Sequence, residues 1–181
     1  EPFEQIQVVA ASVAAAAEKA YRQIEHRDHV TLAMDEREAE LGVRIPSAAD
    51  LARAEQILAK AGPGPYSGLD EIYARETVLL AKYPPTVKVR LQAIRIGKLG
   101  IVSSPCETFV ETGLAIKEQS PLETTFTIEL ANGYNGYLPT PEHHELGGYE
   151  TWRARSSYLA ADAEPEIRQN LLELLGEVAA Q

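Results

Sequence analysis

Residues 99–130 read LGIVSSPCETFVETGLAIKEQSPLETTFTIEL, and this stretch constrains the fold more than any other. A short apolar run (LGIVS) ends at Ser104-Pro105. Residues 107–117 then suit a helix, with Phe109, Val110, Leu114 and Ile116 turned inward. Phe126, Ile128 and Leu130 alternate with Thr125, Thr127 and Glu129, the period of a strand. Strand, helix and strand at this length imply a parallel pair joined by a right-handed crossover.

The flanking segments extend this pattern. Val87, Val89 and Leu91 alternate with Lys88, Arg90 and Gln92, which marks a half-buried strand. The alternation slips at Ala93-Ile94, where a bulge or bend is expected. Gly97-Lys98 suits a tight hairpin into the βαβ unit. Residues 30–38 suit a short strand. Upstream, Ile6, Val9, Val13, Ala17, Ala20 and Ile24 form one apolar stripe over a helix at residues 4–24. Ser47 is a plausible N-cap for a helix carrying Leu51, Ala54, Ile57 and Leu58, which Gly62-Pro63 stops. A third helix opens near Ser67 and Asp70 and ends before Pro84-Pro85. A closing helix at residues 165–179 carries Ile167, Leu171, Leu174 and Val178. The expected fold is α/β (α+β mixed). It is a layered domain whose mixed sheet contains the βαβ unit and is flanked by several helices. The chain has no clear linker, so residues 1–181 read as a single domain.

Composition removes several functions. A net charge of −10 argues against nucleic acid as a partner, because phosphate backbones need clustered Lys and Arg. No window reaches the roughly 18 apolar residues of a transmembrane segment. The single cysteine, Cys106, excludes an internal disulfide. The hydrophobic fraction of 45% is enough for a core.

The βαβ unit also places chemistry. The loops that follow parallel strands lie at one edge of the sheet, where open α/β sheets bind their ligands. The first such loop is Ser104-Pro105-Cys106-Glu107. The second begins at Asn132-Gly133-Tyr134, in NGYNGYLPTPEHHELGGYE. Glu107 and the tyrosine-rich loop should therefore converge. A carboxylate among phenols could ligate a hard metal or move a proton. Each residue also has a plainer role. Glu107 could serve a helix dipole from the first turn. Tyr134, Tyr137 and Tyr149 could pack with their hydroxyls outward. Cys106 could be a nucleophile or a small buried residue. His143-His144 looks like a metal pair, but adjacent residues diverge, so a surface role is expected. His26 and His29 share a helix face only if the first helix reaches them. Arg153 and Arg155 could bind an anion or offset the acidic surface.

The runs LQAIRIGKLGIVSSPCETFVETGLAIK and FTIELANGYNGYLPTPEHHELGGYET together resemble the neutral/alkaline, non-lysosomal ceramidase family, nearest its bacterial branch. The resemblance covers most of the chain and is sharpest over residues 91–157. It implies the C-terminal segment of a larger catalytic domain, one that hydrolyses the amide of ceramide through a zinc ion held by two histidines, a glutamate and a tyrosine. Glu107 matches the glutamate of a Pro-Gly-Glu motif, written here Pro105-Cys106-Glu107. Tyr137 matches the second tyrosine of Asn-x-Tyr-x-x-Tyr. Tyr149, followed by Glu150, matches the tyrosine that polarises the amide carbonyl.

Two departures stand out. Cys106 replaces the motif glycine and would be strained if that position required positive φ. None of the four histidines matches the two zinc ligands, which belong to the earlier half of the family domain. The implied cofactor is thus zinc with an incomplete ligand set. The implied partners are a lipid amide and the N-terminal part of the same domain, and the implied location is secreted or periplasmic. The isolated chain is expected to be nearly inactive. Competing readings are a non-catalytic binding or assembly module of the same lineage, and a hydrolase of a non-lipid amide or ester.

Overall fold

The computed structural model describes residues 3–181 and contains two compact units, one ending at Val30 and one spanning Thr31–Gln181. The first unit is a helix, α1 (Glu4–Arg22), none of whose residues is buried. It ends before His26 and His29, so those two share no helix face.

The second unit is built on a four-stranded sheet in the order β1 (Leu32–Gly42), β2 (Thr86–Ile96), β3 (Leu99–Ser103) and β5 (Thr124–Ile128). Strands β1, β2 and β3 are antiparallel neighbours, and β3 runs parallel to β5. The mixed sheet and its βαβ unit are as the sequence implies. Helix α4 (Val110–Gln119) makes the crossover, and a second, two-stranded sheet pairs β4 (Glu107–Thr108) with β6 (Tyr137–Leu138). Gly97, at φ 60°, sits in the two-residue turn between β2 and β3, as a tight hairpin demands.

One face of the sheet carries the core. Leu41, Val89, Leu91, Ala93 and Val102 point inward and meet Ile167, Leu171, Leu174, Leu175 and Val178 of α6 (Ala163–Ala180). Helix α6 packs across β1, β2 and β3, with α4 beside it. Two arginines bind α6 to the sheet. Arg37 reaches Glu173 and Glu177, and Arg95 donates to the carbonyls of Val178 and Ala179 at 3.3 and 3.0 Å. The second of these contacts places a cation at the negative end of the helix.

Three local expectations are corrected. No bulge interrupts β2, whose register with β1 is continuous from Leu32↔Ile96 to Gly42↔Thr86. Ala93 keeps the buried phase, and Ile94 lies on the opposite, exposed face. Strand β5 is phased the other way from the reading that buried its large residues: Thr125 is buried, while Phe126 and Ile128 are exposed. Helix α4 begins at Val110, so Glu107 lies on a strand and cannot serve that helix's dipole. The helix buries Thr112 and Ile116, leaving Val110 and Leu114 exposed. Buried Thr112 donates to Glu164 of α6 at 2.8 Å, which explains why a polar residue takes the inward position.

Helices α2 (Ala48–Ala61) and α3 (Leu69–Leu80) form a packed pair. Ser47 caps α2 in a reciprocal box with Asp50. Gly68, rather than Ser67 or Asp70, occupies the N-cap of α3, with Glu71 returning to its N–H at 2.9 Å.

Candidate functional site at the edge of the sheet

The two loops beyond β3 and β5 converge, as parallel topology requires. Ser104 N–H donates to Ile128 O, and Ala131 N–H to Ser104 O, both at 3.0 Å. Leu130 N–H donates to Cys106 O at 3.1 Å. Asn135 N–H donates to Pro105 O at 2.7 Å, while its side-chain oxygen accepts from Tyr158 at 2.6 Å. Asn132, at φ 65°, reaches back to the sheet and donates to Gln92 at 2.6 Å. Asparagine tolerates that left-handed backbone better than most residues.

Glu107 and Tyr137 stand in register on the parallel pair β4–β6. Gly136 sets this pairing. Its carbonyl accepts from Glu107 N–H at 2.9 Å, and the next amide, Tyr137 N–H, donates to Ser156 O at 2.8 Å. Gly136 has φ 75°, and a Cβ there would collide with the Ser156 backbone. Only glycine meets both demands.

Two phenols, Tyr134 and Tyr137, interact with Glu107, and a third, Tyr149, lies against Tyr137. Tyr134 donates to Glu107 Oε1 at 3.2 Å. The Tyr137 and Tyr149 hydroxyls lie 3.3 Å apart, with their rings edge to face at 5.6 Å. Tyr149 starts a short 3-10 turn, Tyr149–Thr151, after Gly147 and Gly148, both at positive φ. The hydrogen bond to Tyr149 raises the pKa of Tyr137, and burial and the nearby charge of Glu107 add to it. Burial, the hydrogen bond to Glu107 and its charge likewise raise Tyr134. The arrangement is one carboxylate near three phenol hydroxyls, able to hold a hard cation or to donate to a carbonyl oxygen. Among the described residues, no group of three or more His, Cys, Asp or Glu side chains gathers to hold a metal.

Cys106 is fully buried in the core, and burial pushes its thiol up to about 12. That environment suits a small apolar residue and not a nucleophile. Its φ is not in the left-handed region, so replacing the motif glycine adds no strain there. His143 and His144 lie on α5 (Pro141–Leu146), both half-buried. His143 contacts Thr140 at 2.7 Å and stacks edge to face on Phe109 at 4.6 Å. Burial, Arg44 and His143 lower the pKa of His144. Arg153 and Arg155 are both engaged by carboxylates. Arg153 pairs with Asp50 at 2.9 Å, and Arg155 grips the buried Glu76 through two nitrogens at 2.8 and 3.0 Å.

Beside Tyr134 lies a pocket of about 530 Å³ lined by Tyr73, Tyr83, Tyr158, Glu76 and Arg155. Sequence reasoning missed it, because its walls come from α3, Tyr83, Tyr134 and residues 154–158, far apart in the chain.

No family model matches the chain, and no curated protein sequence matches it. Two solved structures are similar in fold. A ceramidase in complex with C2 matches 90% of this chain at a TM-score of 0.54 and 17% identity. A neutral ceramidase from Pseudomonas aeruginosa matches 79% at a TM-score of 0.48 and 18% identity. The chain covers 33% of the first and 28% of the second, about a third of their length. The fold described above is therefore shared with part of a ceramidase.

Proposed function

We propose that this chain is the C-terminal segment of the catalytic domain of a zinc-dependent, ceramidase-like amidohydrolase. Its substrate is the N-acyl amide of ceramide or a related lipid amide. The observation that carries this reading is the in-register pair Glu107 and Tyr137, with the Tyr149 hydroxyl 3.3 Å from that of Tyr137. The shared fold supports it.

A carboxylate and a phenol are suitable oxygen donors for zinc, and a four-coordinate site needs two more protein ligands, or one with an open position. Glu107 and Tyr137 would hold the metal from this chain, and two histidines from the N-terminal part of the domain would complete the set. A zinc ion bound there would supply an activated water near neutral pH and polarise the amide carbonyl. Tyr149 would donate a hydrogen bond to the carbonyl oxygen as negative charge develops. Tyr134 holds Oε1 of Glu107 and fixes the carboxylate. With half the ligands, the isolated chain binds zinc weakly and is nearly inactive.

The test is to join the chain to an upstream part that bears two suitably placed histidines and to measure release of fatty acid from an N-acyl lipid amide. Hydrolysis should appear, and Tyr149→Phe should lower kcat about 10²–10³-fold. A folded, joined protein that takes up zinc but cleaves no lipid amide sinks the proposed activity. Cys106 in place of the motif glycine, and the absence of a match for the two zinc histidines, motivate a second reading, a non-catalytic binding or assembly module. That reading expects Glu107→Ala to leave partner binding unchanged and the joined protein to show no hydrolysis.

A further inference from the structure

The pocket of about 530 Å³ beside Tyr134 is lined by four tyrosines, Tyr73, Tyr83, Tyr134 and Tyr158, and by the Glu76–Arg155 ion pair. Its volume lies within the roughly 300–1,000 Å³ of small-molecule sites. Packing fixes three of the rings. Tyr73 meets Trp152 edge to face at 5.2 Å, and Tyr83 meets Tyr158 at 5.4 Å. The Tyr158 hydroxyl is committed to Asn135 at 2.6 Å. The hydroxyls of Tyr73, Tyr83 and Ser156, and Nη1 of Arg155, make no hydrogen bond among the described residues. Pocket and candidate site share two walls. Tyr134 lines the pocket and donates from its hydroxyl to Glu107 Oε1 at 3.2 Å. Ser156 lines it too, and its carbonyl accepts from Tyr137 N–H at 2.8 Å.

The lining selects the chemistry of a ligand. An acyl chain would bury the free hydroxyls without partners, which costs free energy. A cation suits a cage of aromatic faces. Here, however, Arg155 stands in the wall, and two guanidiniums, those of Arg75 and Arg155, contact the one carboxylate of Glu76. An anion would find Arg155 already held by Glu76 through Nε and Nη2. A neutral sugar meets each demand. Its C–H face packs on the phenol rings, and its hydroxyls exchange hydrogen bonds with the free hydroxyls and accept from Nη1. We propose that this pocket binds a neutral sugar ring. Resting on the ceramidase-like reading above, that ring is the headgroup of a glycosylated lipid amide, whose scissile amide lies beyond Tyr134 at Glu107 and Tyr137.

Trp152 is the one tryptophan of the chain and touches Tyr73, so its fluorescence reports occupancy of the pocket. The chain is titrated with the methyl β-glycosides of glucose, galactose, mannose and N-acetylglucosamine. Tetramethylammonium, phosphate and decanoate probe the other chemistries. At least one glycoside should shift the emission saturably, with a dissociation constant of about 10 mM or below. Tyr83→Phe and Ser156→Ala keep the packing and should each weaken that binding about 3–10-fold. No saturable shift with any glycoside overturns the proposal. So does tighter binding of another probe, or an affinity that both variants leave intact. The shift should persist when the chain is joined to its upstream part; its loss on joining would assign the pocket to that polypeptide and overturn the proposal as well. The joined protein also separates the two levels. It should release fatty acid faster from a glycosylated lipid amide than from the unglycosylated counterpart, and the reverse order overturns the headgroup role. Sugar binding without hydrolysis of either lipid sinks the amidohydrolase reading and keeps the sugar site.

Discussion

Gly136 is the residue on which the geometry of the site turns. Its carbonyl holds Glu107, its left-handed backbone turns the chain toward Tyr137, and no Cβ fits against Ser156. Gly136→Ala is expected to destabilise the protein by at least about 1 kcal/mol, the scale of strain in a left-handed non-glycine residue. It should also break the hydrogen bond between Tyr137 and Tyr149, visible as changed tyrosine signals in near-ultraviolet circular dichroism. Cys106 gives the opposite kind of prediction. With its thiol pushed up to about 12 and no exposure, it should resist iodoacetamide at pH 8 in the native protein and react on unfolding. Rapid native labelling would contradict its placement in the core. At this scale the sequence was informative where a residue type has few uses. Ser47 as N-cap and Gly97 in the hairpin both stand where their chemistry put them. The role of Gly136 was hidden, because the Ser156 backbone that excludes a side chain lies twenty residues away in sequence, in another loop.

Among the elements, α6 carries the largest apolar load. Leu171 is buried against the sheet, and Leu171→Ala should cost about 2–5 kcal/mol in chemical denaturation. Helix α3 is fastened differently, through buried Glu76 and the guanidinium of Arg155. Removing Arg155 leaves a buried carboxylate with only Arg75 nearby, so Arg155→Ala should destabilise by about 1–3 kcal/mol at pH 7. Arg155 holds the carboxyl of Glu76 below its ordinary value of 4.5. A depressed carboxyl stabilises the fold above its unfolded pKa, and that contribution fades as pH falls through the folded value. The gap between wild type and Arg155→Ala should therefore be full above pH 4.5 and shrink below it. A gap independent of pH would remove the ion pair from the explanation. The elements themselves were legible from periodicity, but their faces were less so. The sheet buries Thr125 and exposes Phe126, and α4 buries Thr112 while exposing Leu114. Periodicity shows which residues share a face but not which face meets the core, and here the large apolar residues of β5 and α4 lie away from it.

Across the whole molecule, the βαβ topology brings Glu107 beside Tyr137 although thirty residues separate them, and that convergence followed from strand direction alone. The identity of the site did not follow from it. A carboxylate among phenols has several uses, and the resemblance to ceramidases supplied the zinc reading. On the proposed reading, histidines from another stretch of polypeptide would join Glu107 and Tyr137 to complete the metal site. The most direct measurement is zinc stoichiometry in the chain joined to a histidine-bearing upstream part, compared with its Glu107→Ala and Tyr137→Phe variants. One tightly held zinc per molecule is predicted, lost in Glu107→Ala and weakened in Tyr137→Phe, with all three proteins equally folded. A folded, joined protein that takes up no zinc, or whose zinc is indifferent to Glu107, would contradict the assignment.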